Sequence, residues 1–218
     1  MNTIKISFDN KGLKDKPDKK TAASISTRIG DSPKQISKAE LNKIAFEVGA
    51  NGHTFCPATF KDGNRCKENF EQQQLFALDF DNKDSANSIT FDEVKKRADD
   101  YELPVLFAYE TLSSENQNKF RVVFINDVSV DDIRVAKGMQ LAIGNIFPEA
   151  DSSCYRDPSK MYYGGKSLMY YDDTVPTINI EAVFRNWTEY IKEKYGQNHY
   201  KSKIDKFSKE TGIALGLV

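Results

Sequence analysis

The chain has 218 residues, 39% of them hydrophobic, enough for one large domain with its own core. A net charge of −1 excludes a global basic field, so any nucleic acid would be held by a local patch. The odd, irregular cysteines (Cys56, Cys66, Cys154) and two histidines (His53, His199) exclude a disulfide framework, a zinc motif and a His-rich metal site. With no signal-peptide core and no apolar run near ~18 residues, a cytoplasmic protein with no membrane partner is expected.

Ile4, Ile6 and Phe8 alternate in a short N-terminal strand, followed by a lysine-rich stretch over 10–20 that reads as a loop. Three helix starts share one signature: Ser37-x-x-Glu40, Thr90-x-x-Glu93 and, with Asp in the last place, Ser129-x-x-Asp132. They predict helices over 38–48, 91–101 and 130–147. Leu41, Ile44, Ala45 and Val48 form the buried stripe of the first, and Gly49 its C′ residue. A fourth helix is expected over 180–195, burying Val183, Phe184, Trp187 and Ile191. Strands are expected over 75–82, 105–109, 119–125 and 161–163, with 166–171 continuing the last as a hairpin. Interleaved helices and short strands predict an α/β or α+β fold with a mostly antiparallel or mixed sheet. The polar chain after Gln197 reads as a linker or the start of a further module.

The most informative stretch is Leu75-Phe76-Ala77-Leu78-Asp79-Phe80-Asp81-Asn82. At a period of two, Phe76, Leu78 and Phe80 share one face, and Ala77, Asp79 and Asp81 the other. Two carboxylates held side by side repel unless a cation joins them, and a hard cation such as Mg²⁺ takes carboxylates together with substrate phosphates. The same pair also arises where a strand simply exposes its end before a turn. In Lys119-Phe120-Arg121-Val122-Val123-Phe124, the two cations share a face opposite the apolar residues and suit a polyphosphate, or else are solvated charges. The polar loop 111–118 precedes them. Asp151, Arg156 and Lys166 with Gly164-Gly165 form a third cluster, offering another carboxylate, two phosphate-binding cations and a close backbone approach, or else a plain turn. Template contact would fall to Arg65, Lys67, Arg156, Lys160 and Lys166, with Tyr162 and Tyr163 for stacking or as half-buried sheet aromatics. His53 fits a local hydrogen-bonding role.

In this order, the stretches resemble the catalytic domain of the archaeo-eukaryotic primase superfamily, in the primase-polymerase branch of phages, plasmids and other mobile elements. The resemblance is carried by Gly52-His53-Thr54-Phe55-Cys56-Pro57-Ala58 with Gly63-Asn64-Arg65, Leu78-Asp79-Phe80-Asp81-Asn82, Thr111-Leu112-Ser113-Ser114 with Lys119–Phe124, and Asp151 with Arg156 and Tyr163-Gly164-Gly165. It spans about residues 1–175. It implies an RRM-like sheet packed beside an N-terminal α/β unit, and template-directed nucleotidyl transfer with Mg²⁺ or Mn²⁺. By position, Asp79, Asp81 and Asp151 match catalytic metal ligands, and Ser113, Ser114, Lys119 and Arg121 the triphosphate site. Many members carry Ser-x-His there; Ser113-Ser114-Glu115 has no histidine. The implied organisation is a catalytic domain over 1–195, comprising units 1–72 and 73–175 and a closing helix 176–195, then 196–218. Nucleoside triphosphates, a single-stranded DNA template and a primer are the implied partners, with a helicase or C-terminal primase module in a longer protein.

Rival readings remain. A non-catalytic single-stranded nucleic-acid-binding domain would use the same sheet without converging acids. A D-x-D phosphatase would recruit Asp172-Asp173, although Asn82-Lys83 follows the motif where that pattern expects other residues. A replication-initiator nuclease would need a histidine pair that is absent.

Overall fold

The computed structural model describes residues 3–82, 88–155 and 157–215. Among them the fold is α+β, with two antiparallel sheets and six α-helices. The first sheet has the order β2-β1-β3, from β1 (Thr3–Gly12), β2 (Pro33–Ser37) and β3 (His53–Cys56). The second has the order β4-β5-β7-β6-β8. Its strands are β4 (Ala58–Phe60), β5 (Phe70–Asp81), β6 (Phe107–Thr111), β7 (Lys119–Val130) and β8 (Gly165–Tyr171). The helices are α1 (Lys19–Gly30), α2 (Leu41–Gly49), α3 (Phe91–Asp100), α4 (Ile133–Ile146), α5 (Ile180–Tyr195) and α6 (Gln197–Thr211).

From β5 to β8 the chain runs β-α-β-β-α-β, and β7 pairs antiparallel with both β5 and β6. β5 and β6 are therefore parallel with β7 inserted between them, the split β-α-β arrangement of an RRM-like unit. β8 adds beyond β6, while β4 takes the edge beside β5.

The two faces of the larger sheet follow the alternation in the sequence. Phe76, Leu78 and Phe80 pair with Phe124, Val122 and Phe120, and all six are buried. Phe80 stacks on Phe120 at 4.9 Å, Phe147 after α4 meets Phe80 edge-on at 6.2 Å, and Phe91 of α3 meets Phe120 edge-on at 6.1 Å. Burying each such ring stabilises the fold by about 1.5–3 kcal/mol. The opposite face carries Ala77, Asp79 and Asp81. The N-terminal unit covers its lower part: Phe55 of β3 lies 6.4 Å from Phe107 and stacks at 5.6 Å on Tyr162. The end of that face, where β5 finishes, borders a cleft.

Four local expectations are corrected. The third helix starts at Ile133 because the β7 ladder holds the chain extended to Val130; Asp132 caps it, and Ser129 instead donates to Gln72 Oε1. Residues 161–163 form no hairpin with β8: Tyr162 bridges Phe55, and β8 pairs with β6. Gly49 ends α2 rather than following it, with Ala50 as its cap. The 10–20 stretch is strand to Gly12 and helix from Lys19, capped by Asp18. Beyond Gln197 the polar chain folds as α6 and buries Tyr200, Ile204 and Phe207 against α4 and α5.

Candidate active site

β5 and β7 place acids and bases opposite one another. Asp79 pairs in register with Arg121, and Asp81 with Lys119. Cross-strand partners sit ~4.5–5.5 Å apart at Cβ, so sheet register alone brings each carboxylate to a cation. Arg121 donates to Asp79 Oδ2 at 2.9 Å, and Lys119 Nζ lies 3.5 Å from Asp81 Oδ1. The first pair is the more sheltered, its side chains 12% and 20% exposed.

Arg121 is also fixed from behind, donating to the carbonyl of Tyr163. Burial works against its charge, but Tyr109 and Asp79 beside it outweigh that and hold the guanidinium well above the usual arginine value. Tyr109 is itself buried and its hydroxyl is pushed up to about 12, so it serves as a neutral donor to the Tyr163 carbonyl. The Tyr163–Gly164 segment can reach this place because Gly164 has no side chain: a Cβ there would lie 2.2 Å from the Gly52 carbonyl carbon.

These residues border a cleft of about 210 Å³. Asp79, Asp81, Lys119, Arg121, Asp151 and Ser113 all line it, as does Tyr163. Asp151 arrives through the backbone, its N–H donating to Asp79 C=O at 2.7 Å. Its carboxylate accepts from the Ser153 N–H and hydroxyl at 2.9 and 2.8 Å. Among the described residues, no group of three or more His, Cys, Asp or Glu side chains is gathered closely enough to hold a metal. The pair Asp79 and Asp81 nonetheless supplies the hard oxygen donors that a Mg²⁺ or Mn²⁺ ion takes when it arrives with phosphates.

Other expected site residues are used elsewhere. Ser114 is buried and closes the β6–β7 turn, accepting from Lys119 N–H and donating to Asn118 Oδ1. Arg65 ties Ser26 of α1 to the Ser159 carbonyl. Lys166 donates to Ser114 C=O at 2.6 Å, and Lys160 lies 3.4 Å from Ser153 Oγ. Tyr162 is buried, donating to Ala77 C=O at 3.0 Å, so it is a core aromatic rather than a stacking surface. Lys67 lies on a short 3₁₀ turn outside the cleft. Arg156 lies outside the described residues. His53 has the local role expected, bonded to Asp9 C=O and paired with Glu47. Burial pushes the Cys56 and Cys154 thiols up to about 12 and 11, which keeps both protonated and unreactive at neutral pH.

Sequence reasoning missed Lys16 and Pro17, which line the cleft from the β1–α1 loop. No local pattern marks them, because only the docking of the N-terminal unit brings them there.

No protein-family model matches the chain, and no curated protein matches it. Among solved structures it is similar to the AEP domain of the cyanophage S-2L primase-polymerase (PrimPol), with 10% sequence identity, a TM-score of 0.48, and coverage of 85% of this chain and 89% of that one. The functional reading therefore rests on the cleft's own residues.

Proposed function

We propose that the chain is a template-directed nucleotidyltransferase of the primase-polymerase kind, working with Mg²⁺ or Mn²⁺. The observation that carries this reading is the register of β5 and β7, which sets Asp79 against Arg121 and Asp81 against Lys119 at the mouth of one cleft. A nucleoside triphosphate brings several negative charges and a divalent cation together. A site for it needs acids for the cation and bases for the phosphates, held in a fixed order.

Asp79 and Asp81 would hold the cation, which when bound stabilises charge on phosphoryl oxygens and on leaving pyrophosphate. Asp151, adjoining Asp79, would join them once its carboxylate leaves Ser153. Lys119 and Arg121 bind the triphosphate: Arg121 presents a planar fork oriented by Tyr163 C=O, and Lys119 a point charge. Lys16 and the exposed hydroxyl of Ser113 complete the rim. Phosphoryl transfer depends mostly on positioning and charge stabilisation, so this cast suffices without a nucleophilic side chain. A single-stranded template and a primer are the further substrates, and a helicase or C-terminal primase module is the partner the resemblance implies.

The test is a denaturing-gel assay with single-stranded DNA, labelled nucleotides and Mg²⁺ or Mn²⁺, with and without an annealed primer. Products without primer that vanish in Asp79→Ala or Asp81→Ala mean priming; products only with primer mean extension. Normal activity in either variant would sink the assignment.

One observation favours a second reading, a non-catalytic strand-binding module. Both acids already have cationic partners, and no three-acid group is gathered among the described residues. Metal-dependent nucleotide binding separates the two. The phosphatase reading lacks its second acid: Asp172 N–H bonds Leu106 C=O at the far end of β6, about 10 Å along the strand from the level of Asp79, and its carboxylate caps Thr174.

A further inference from the structure

The cleft itself holds little positive charge to spare, since Arg121 and Lys119 face acids. A strand of nucleic acid needs a different surface. Between Lys192 and Glu210 the chain carries six lysines against three acids, in a protein of net charge −1. One of those acids, Glu193, accepts from Tyr101 OH, and another, Glu210, lies 3.9 Å from Lys206. The local excess is therefore positive.

Two of these lysines, Lys203 and Lys206, line a groove of about 280 Å³ between α4, α5 and α6, whose walls also include Ser152, Tyr155, Trp187, Tyr195 and Glu210. Lysine and tyrosine interleave along it. Lys203 Nζ lies 4.2 Å from the Tyr195 ring centre, and Lys194 Nζ lies 5.1 and 5.6 Å from those of Tyr190 and Tyr195. Tyr195 is 39% exposed, so part of its ring meets solvent beside the lysines. The groove also adjoins the cleft. The turn from Asp151 to Tyr155 separates them: Asp151 lines the cleft, and Ser152 and Tyr155 line the groove.

We infer that the α4–α6 groove binds single-stranded nucleic acid, with Lys203 and Lys206 on the phosphodiesters and Tyr195 stacked on a base. Sequence-tolerant strand binding uses this combination, because every phosphodiester is an anion and every base has a face. The inference takes the strand's identity as template from the nucleotidyl-transfer reading. It assigns the strand to a helical groove that none of the described residues expected to contact template lines.

The test is fluorescence anisotropy with labelled oligothymidylate and oligouridylate of about 15 nucleotides, in EDTA and without nucleoside triphosphate. The Lys203→Glu/Lys206→Glu variant should bind at least about tenfold more weakly, with its log K against log salt shallower by about 1.4. Tyr195→Ala should lose about tenfold with the salt slope unchanged. A charge-matched control, Lys38→Glu/Lys43→Glu on exposed positions of the N-terminal unit, should bind as wild type. The DNA and RNA arms identify the preferred strand. Unchanged binding in the groove variants, an equal loss in the control, or equal competition by polyglutamate, which marks an acidic-protein surface, would overturn the inference. No metal or triphosphate is present, so failure of the transfer reading would leave a positive result standing. Failure here would leave incorporation dependent on Asp79 and Asp81.

Discussion

On the β5–β7 face each cation meets an acid across the ladder, Arg121 against Asp79 and Lys119 against Asp81. On α5 and α6, lysines outnumber acids and lie over tyrosine rings instead. Strands fix partners through register, so the cleft holds charge in rigid, balanced pairs. Long lysine stems on a helix keep their rotamer freedom and present unbalanced charge to solvent. A balanced, rigid array suits chemistry on one triphosphate, whereas an unbalanced, adaptable one suits a polymer whose position must change. On the proposed reading the two regions divide chemistry from grip, with the Asp151 turn between them.

The sharpest break of that division is Asp79→Asn or Asp81→Asn. Each should lower nucleotide incorporation by about 10³-fold or more while leaving oligonucleotide affinity within about twofold of wild type. A parallel fall in affinity would show that cleft and groove act as one surface. Withdrawing divalent cation with EDTA should likewise stop incorporation and spare binding in the anisotropy assay.

Arg121→Ala should act next most strongly, raising the KM for nucleotide about tenfold or more. It should also cost about 2 kcal/mol in urea unfolding, because it leaves the sheltered Asp79 carboxylate without its guanidinium donor. Lys203→Ala, on the exposed helix, should change stability by less than about 0.5 kcal/mol. The smallest effect on function is expected at Asp132, the α4 cap, where Asp132→Ala should cost about 1 kcal/mol of stability with neither nucleotide nor strand binding changed. Arg134's side chain and N–H hold the Asp132 carboxyl down to about 2. Its contribution is therefore full above the ordinary aspartate range and is lost as pH falls through about 2, which acid unfolding of the variant against wild type would show.

The elements that carry the cleft were legible because alternation and capping are local. Phe76, Leu78 and Phe80 declared one face of β5, and the Thr90–Glu93 box sits where the sequence places it. α5 starts at Ile180 and ends at Tyr195 as expected. What local pattern cannot carry is pairing. Nothing in the sequence says that Asp79 meets Arg121 rather than solvent, or that Ser114 turns inward while Ser113 faces the cleft. α1 escaped notice because its stretch is rich in serine and threonine and buries only Ile25, Ile29 and Gly30. α6 was readable from Tyr200, Ile204, Phe207 and Thr211, spaced at i, i+4, i+7 and i+11, but its polar composition masked that stripe.

The most direct test of the central claim is pyrophosphate release per nucleotide incorporated on a primed single-stranded template, in the wild type and in Asp79→Asn with a matched melting curve. One pyrophosphate per nucleotide added is expected in the wild type, and neither product in the variant. A wild type that binds the strand without metal but releases no pyrophosphate, or a variant as active as wild type, would contradict it.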